Sequence, residues 1–319
     1  MNDSPERRPS LARRLAPWLV AFALLAWLFH VVPLESLAEA LRTAPMGLFI
    51  GMTVVYVIGT LFADTFATWA TFRSSLPEAN LRFKETLDVR AASYLLAVVH
   101  YGAGQGGIAY FVNRAHGVPL ARAAGSVMLI MGVNVIVVAL IAFVGVLLGG
   151  APAAPALRLV VLGLAAAFPV YLTVIAARPR FLAKRALLAP LFDAGLRGHA
   201  VAAAARLPHV VWLMIGHWAA MRLFGVLVPL PDALALLPLL FVVTVLPIAP
   251  SGIGTGQATA VALFTRFATA GTPSAREASV LAYGLALQFV ALFLQAGIGL
   301  VFLRRVTKAV TVGKDPQAR

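Results

Sequence analysis

In a chain whose long runs consist of Leu, Val, Ala and Phe, the side chains able to do chemistry stand out singly: Asp64, His100, Gln105, Asn134, His217, Arg222 and Gln257. A strongly polar group inside such a run is costly unless it faces a cavity or a partner. Arg222 carries a planar guanidinium that can grip a lipid phosphate through two parallel hydrogen bonds, or can snorkel to the outer interface near Pro229. Gln105, Asn134 and Gln257 are neutral donors and acceptors, suited to sugar or phosphate oxygens or to satisfying irregular backbone beside them. His217 is placed either to line the same cavity as Arg222 or to bridge two helices. Asp64 reads as a side chain reaching the cytoplasmic interface, with pairing to a cation as the alternative. Over 278–303, Gly284, Gln288, Ala291 and Gln295 recur at helical spacing and read as a packing stripe.

Catalysis would need a nucleophile with its base, paired carboxylates, or metal ligands at compatible spacing. The chain has no P-loop, paired CxxC, HExxH or GxSxG pattern, its 6 histidines are scattered, and it has no cysteine. Neither an enzymatic activity nor a metal or cofactor is expected. The chemistry on offer is binding.

The elements that must position these groups follow from composition. With 61% hydrophobic and 12% charged residues over 319 positions, the chain has more apolar surface than a soluble core of that size can hide, so its solvent is lipid. The excess of 26 basic over 12 acidic residues lies mainly between the apolar runs, which points to cytoplasmic loops facing anionic lipid and not to nucleic acid. Apolar runs at 16–32, 46–70, 123–149, 157–177, 209–230 and 278–303 are long enough to cross a bilayer. The first follows Arg7, Arg8, Arg13 and Arg14 and reads as a retained anchor, although Ala38-Glu39-Ala40 formally fits a cleavage site. Trp18, Trp27, Trp69, Trp212 and Trp218 read as interface anchors.

Two regions break the pattern. In 91–113, YGAGQGG interrupts an apolar run and includes Gly104; in 233–270, Pro247 and Pro250 precede Gly252, Gly254 and Gly256. If the first region crossed once, Arg178, Arg180, Lys184, Arg185, Arg197 and Arg206 would fall outside, so a hairpin returning to the cytoplasmic side is preferred. For the second, two full crossings and one hairpin returning outside satisfy the charges equally. Proline and glycine interrupt the helical hydrogen-bond ladder, and irregular backbone survives at membrane depth where protein shields it or a wet cavity borders it. Close helix packing is the competing explanation of the glycines, but their spacing of two does not put them on one helical face. Two broken segments entering from opposite sides suggest the inverted symmetry of transporters.

At these two stretches the chain resembles a family, the bacterial integral-membrane proteins similar to the flippase portion of lysylphosphatidylglycerol synthetase. LPIAPSGIGTGQA, from Leu246 to Ala258, is similar to the family's LPxxxxGxGxxE signature, and HYGAGQGGIAYFVNR, from His100 to Arg114, to its first glycine-containing motif. Gln257 stands at the signature's acidic position and Gly256 at a frequently basic one. His100, Gln105 and Ile108 stand where the earlier motif has proline, an acid and arginine, and Ile130, Met131 and Asn134 where charges open the next helix. The resemblance implies a lipid-handling membrane domain whose site is lined by amides in place of charges. Relatives with a large cytosolic aminoacyltransferase domain also make the lipid; here the apolar runs end at Leu303, and lipid aminoacylation is not expected.

The expectation is an all-α fold, a polytopic helical membrane bundle of six to eight spanning helices with one or two broken or re-entrant segments. Residues 1–15 and 304–319 form cytoplasmic tails and 16–303 one membrane-embedded domain. The expected function is movement of a phospholipid or lipid-linked head group between leaflets of the bacterial inner membrane. The substrate site is assigned to His100, Gly104, Gln105, Asn134, His217, Arg222, Gly252, Gly254 and Gln257. Partners are membrane lipids and, in one alternative, enzymes of lipid biosynthesis that this chain would support structurally. A lipid-modifying membrane enzyme is the other alternative.

Overall fold

In lipid every backbone N–H and C=O must be satisfied within the protein, which leaves the helix as the working element of so apolar a chain. A computed structural model describes residues 11–99, 101–151, 155–246, 248–249 and 252–312; His100, Pro247 and Pro250 lie outside the described residues. Among the described residues twelve α-helices follow one another: α1 (Leu11–Val31), α2 (Leu34–Thr43), α3 (Met46–Ser75), α4 (Phe83–Val99), α5 (Tyr101–His116), α6 (Leu120–Leu147), α7 (Pro155–Ala177), α8 (Arg180–Ala183), α9 (Ala189–Leu223), α10 (Leu230–Val245), α11 (Thr255–Phe264) and α12 (Pro273–Val312). Proline punctuates the chain as its chemistry requires: Pro33, Pro45, Pro119, Pro179 and Pro229 each sit at the start of a helix, where the missing N–H has no partner to lose.

Five described helices are long and apolar enough to cross a membrane, and α1 with α2, bent by 89° at their junction, makes a sixth if the pair counts as one span. The distribution of side chains is inverted relative to a water-soluble protein. Phe293 is 77% exposed on the outer surface while Asp64 is 3% exposed inside. Helix α9 begins at Ala189, well before the run at 209–230, so Arg197 and Arg206 belong to a helix and not to a basic loop. Likewise α12 continues through Val312, beyond the boundary expected for the C-terminal tail.

Both interrupted regions form helical hairpins. Helices α4 and α5, 17 and 16 residues long, fold back on each other, with Gly104 set against Ala97 and the Ser93 carbonyl. Their outer ends return to one end of the bundle, where Phe111 and Val112 of α5 share an apolar cluster with Leu76 and Leu81, which precede α4. Arg122 at the start of α6 marks that end by pairing with Glu78 at 2.9 Å. Helix α10 has 16 residues and α11 only 10, about 15 Å of helix, too short for a crossing of roughly 30 Å. Asp232 at the start of α10 pairs with Arg266 just after α11 at 3.1 Å, and it accepts a hydrogen bond from Ala151 N beyond the far end of α6 at 3.0 Å. The two hairpins therefore start from opposite ends of α6, and 233–270 folds as a hairpin whose second helix is shorter than a crossing.

Candidate functional site

Between the hairpins lies space. A cavity of about 300 Å3 is bordered by α3, α4, α5, α6, α9, the end of α10 and α12. A second of about 170 Å3 lies beside it and shares Tyr56, His217, Thr244, Gln288, Leu292 and Gln295 in its wall, while Gly256 and Gln257 of α11 form its far side. The α10–α11 segment thus borders both cavities and α4–α5 the larger, and α12 runs past both.

The floor of the larger cavity is an ion cluster drawn from three helices. Asp64 of α3 sits about three turns short of Ser75, about 16 Å at 1.5 Å per residue, and is no interfacial residue. Its Oδ2 accepts from Arg90 of α4 and its Oδ1 from Arg206 of α9. A second Arg90 nitrogen reaches Gln105 Oε1 of α5 at 3.5 Å. Burial of three charges in low dielectric is tolerable because each guanidinium is paired with, and hydrogen-bonded to, the same carboxylate, which offsets one of the two positive charges. Four atoms of cavity-lining residues remain without a hydrogen-bond partner among the described residues: Arg206 Nη2, the Tyr94 and Thr60 hydroxyls and His209 Nδ1.

At the other end of the cavity His217 shares a 2.6 Å hydrogen bond with the Tyr283 hydroxyl, and its ring meets Tyr56, Phe241 and Tyr283 edge-on. Gln257 sits where α11 begins. Its Oε1 accepts from Gly254 N at 2.7 Å, and its Nε2 reaches the Gly284 carbonyl at 3.5 Å. Gly252 and Gly254 have φ of 69° and 82°, in the left-handed region that L side chains avoid, and so turn the chain from α10 into α11. Gln257 therefore does both things open to it: it satisfies the broken backbone and borders a cavity.

The structure gathers Gly104, Gln105, Asn134 and His217 on the larger cavity and Gln257 on the smaller. Gly252 and Gly254 form the break itself and pack against Thr244 and against Ala21 of α1, leaving the cavity wall to Gly256. Arg222 does not join the site. It lies exposed in the last turn of α9 with its guanidinium 5.4 Å from the Trp218 ring, because about four and a half turns of helix separate it from Arg206, which does face inward. Gly284, Gln288, Ala291 and Gln295 line the smaller cavity and are more than a packing stripe. Trp212 is no interface anchor either; its Nε1 donates to the Tyr56 carbonyl at 3.0 Å across the α3–α9 seam.

From the sequence, Arg206 reads as one of the cytoplasmic loop charges, and Arg90 is not singled out. A signal existed. Arg206, His209, Leu213 and His217 follow one face of a helix, and all line the cavity, so the helical period visible after position 209 continues back through Arg206. The site is consequently charged as well as amide-lined.

An all-helical, polytopic membrane bundle with a polar cavity between two opposed hairpins is the class of protein defined by this fold and site. The family model described as the lysylphosphatidylglycerol synthase TM region matches residues 14–299, and the chain belongs to that family. No curated protein matches the chain. Membership places it among membrane proteins of lipid metabolism or transport. Of the two motifs that carry the resemblance, the later spans the break between α10 and α11, and Tyr101 to Arg114 of the earlier lie within α5 from its first residue.

Proposed function

We propose that the protein moves a phospholipid or lipid-linked head group between the leaflets of a bacterial inner membrane. One observation carries the reading: a charged and amide-lined cavity lies in the hydrocarbon-facing bundle where two hairpins from opposite ends converge. The head group enters the cavity while its tail stays in lipid. In this reading α4–α5 re-enters from the cytoplasmic face and α10–α11 from the outer face, with both termini cytoplasmic as the basic residues require. Rocking of one hairpin unit against the other alternates access, as in transporters built from inverted repeats. Movement down a lipid gradient needs no nucleotide and no covalent step, so the protein acts as a transporter and not an enzyme.

The test is reconstitution of the purified chain into vesicles containing a head-group-labelled phospholipid and addition of an impermeant quencher. The quenchable fraction is expected to exceed the outer-leaflet share far sooner than in protein-free vesicles. Equal rates with and without protein would overturn the reading. New lipid species in the mass spectrum of those vesicles would replace it with the enzymatic one.

A further inference from the structure

The charge in the larger cavity does not balance. Arg90 and Arg206 contribute two guanidiniums and Asp64 one carboxylate, and no other acid, lysine or arginine is among the described residues of either cavity wall. One positive charge is in excess. His209, also in the wall, can only add to it. Arg206 and Asp64 side chains are 3% and 4% exposed, so water and salt screen that excess poorly.

The hydrogen-bonding inventory points the same way. Both carboxylate oxygens of Asp64 are taken by arginines, whereas the wall atoms without a partner among the described residues are Arg206 Nη2, a donor, the Tyr94 and Thr60 hydroxyls, which can donate, and His209 Nδ1. Asn134 adds an amide to the same wall. A phosphate oxygen satisfies each of these donors and neutralises the excess charge. An ammonium finds no free carboxylate and meets repulsion. A volume of about 300 Å3 lies at the lower end of small-molecule sites, roughly 300–1,000 Å3, and suits a head group without its chains.

We propose that the cavity selects a phosphate-bearing lipid head group of net negative charge and rejects head groups carrying an ammonium, the aminoacylated ones included. Asp64 acts as a positioning residue: it aligns the two guanidiniums and keeps the cavity at a single positive charge, so that an anionic head group binds yet can leave. The proposal deepens the transport reading and rests on it for the identity of the site.

The test is equilibrium lipid enrichment on the full chain in nanodiscs made from equal parts of phosphatidylglycerol, phosphatidylethanolamine and lysylphosphatidylglycerol, read by mass spectrometry of retained lipid. Phosphatidylglycerol is expected to be enriched about tenfold over each of the others, the ratio that about 1.4 kcal/mol supports. Arg206→Gln is expected to abolish the preference. Tyr94→Phe removes a hydroxyl that has no partner among the described residues, so it is expected to leave the melting temperature unchanged while lowering the enrichment several-fold, a combination that a structural role would not produce. Asp64→Asn, with the charge excess doubled, is expected to retain phosphatidylglycerol more tightly and to slow its exchange. Equal retention of the three lipids, preference for the lysyl lipid, or enrichment that survives both Arg206→Gln and Tyr94→Phe would overturn the proposal. Millimolar inorganic phosphate or glycerol 3-phosphate is expected to leave the lipid in place; displacement by either without lipid enrichment would assign the site to a soluble anion and overturn the lipid assignment. The readout is binding, so enrichment without leaflet movement supports this proposal and faults the transport reading, while movement without head-group preference does the reverse.

Discussion

Arg206 and Asp64, 142 positions apart in the chain, form an ion pair sealed between α9 and α3. The pair places a guanidinium and a carboxylate where neither would be stable alone, and it lies on the seam that Trp212 and Tyr56 also hold.

Removal of one partner is therefore expected to cost far more than removal of both. Asp64→Ala leaves two arginines unpaired in low dielectric and should destabilise the fold by about 3–5 kcal/mol. A triple replacement, Asp64→Leu with Arg90→Met and Arg206→Met, should recover most of that stability and none of the lipid handling. Thermal denaturation in mild detergent beside the vesicle assay checks both; a triple variant as unstable as Asp64→Ala would show that the cluster's hydrogen bonds, and not its charge balance, hold these helices.

Gln257→Leu takes away the acceptor for Gly254 N and leaves a buried donor orphaned, at about 1–3 kcal/mol. Gln257→Glu keeps the acceptor and gains attraction to the N-terminus of α11, so it is expected to melt within about 1 kcal/mol of the parent. Side-by-side melting curves decide; a Leu variant as stable as the parent would mean that the cap is dispensable.

At the hairpin turn, Gly254→Ala is expected to destabilise by more than the roughly 1–2 kcal/mol of a left-handed residue, since a Cβ would also lie 3.0 Å from the Ala21 carbonyl. Gly47→Ala meets nothing within 4 Å and is the matched control, neutral or slightly stabilising. Equal melting temperatures for the two variants would contradict the turn geometry.

The absence of native cysteine makes the wetness of the cavity directly measurable. A cysteine in place of Asn134, on the cavity wall, should react with a charged thiosulfonate at least about ten times faster than one in place of Phe293, 77% exposed to hydrocarbon, because the thiolate forms only where water can solvate it. Comparable rates would mean that the cavity is dry.

Much of the fold was legible before any coordinates. Hydropathy located the spans, the distribution of arginine and lysine required the first interruption to return to its own side, and proline with positive-φ glycine marked where α10 gives way to α11. Gln105, Asn134, His217 and Gln257, which line the cavities, stand out in the sequence because an amide or imidazole in an apolar run is conspicuous. Arg90 and Arg206 do not, because each adjoins a basic segment and counts equally well as a loop charge.

The sequence by itself determined the solvent, the element type and the places where the helical ladder must break, since these follow from local composition and backbone chemistry. Only the tertiary structure decided which charges are buried, that 233–270 folds back to its own side, and that Arg222 faces outward while Arg206 faces in. Those outcomes depend on which helix faces meet across the bundle, and in a chain whose helices are apolar nearly all round, the partner that can neutralise a charge sets its orientation.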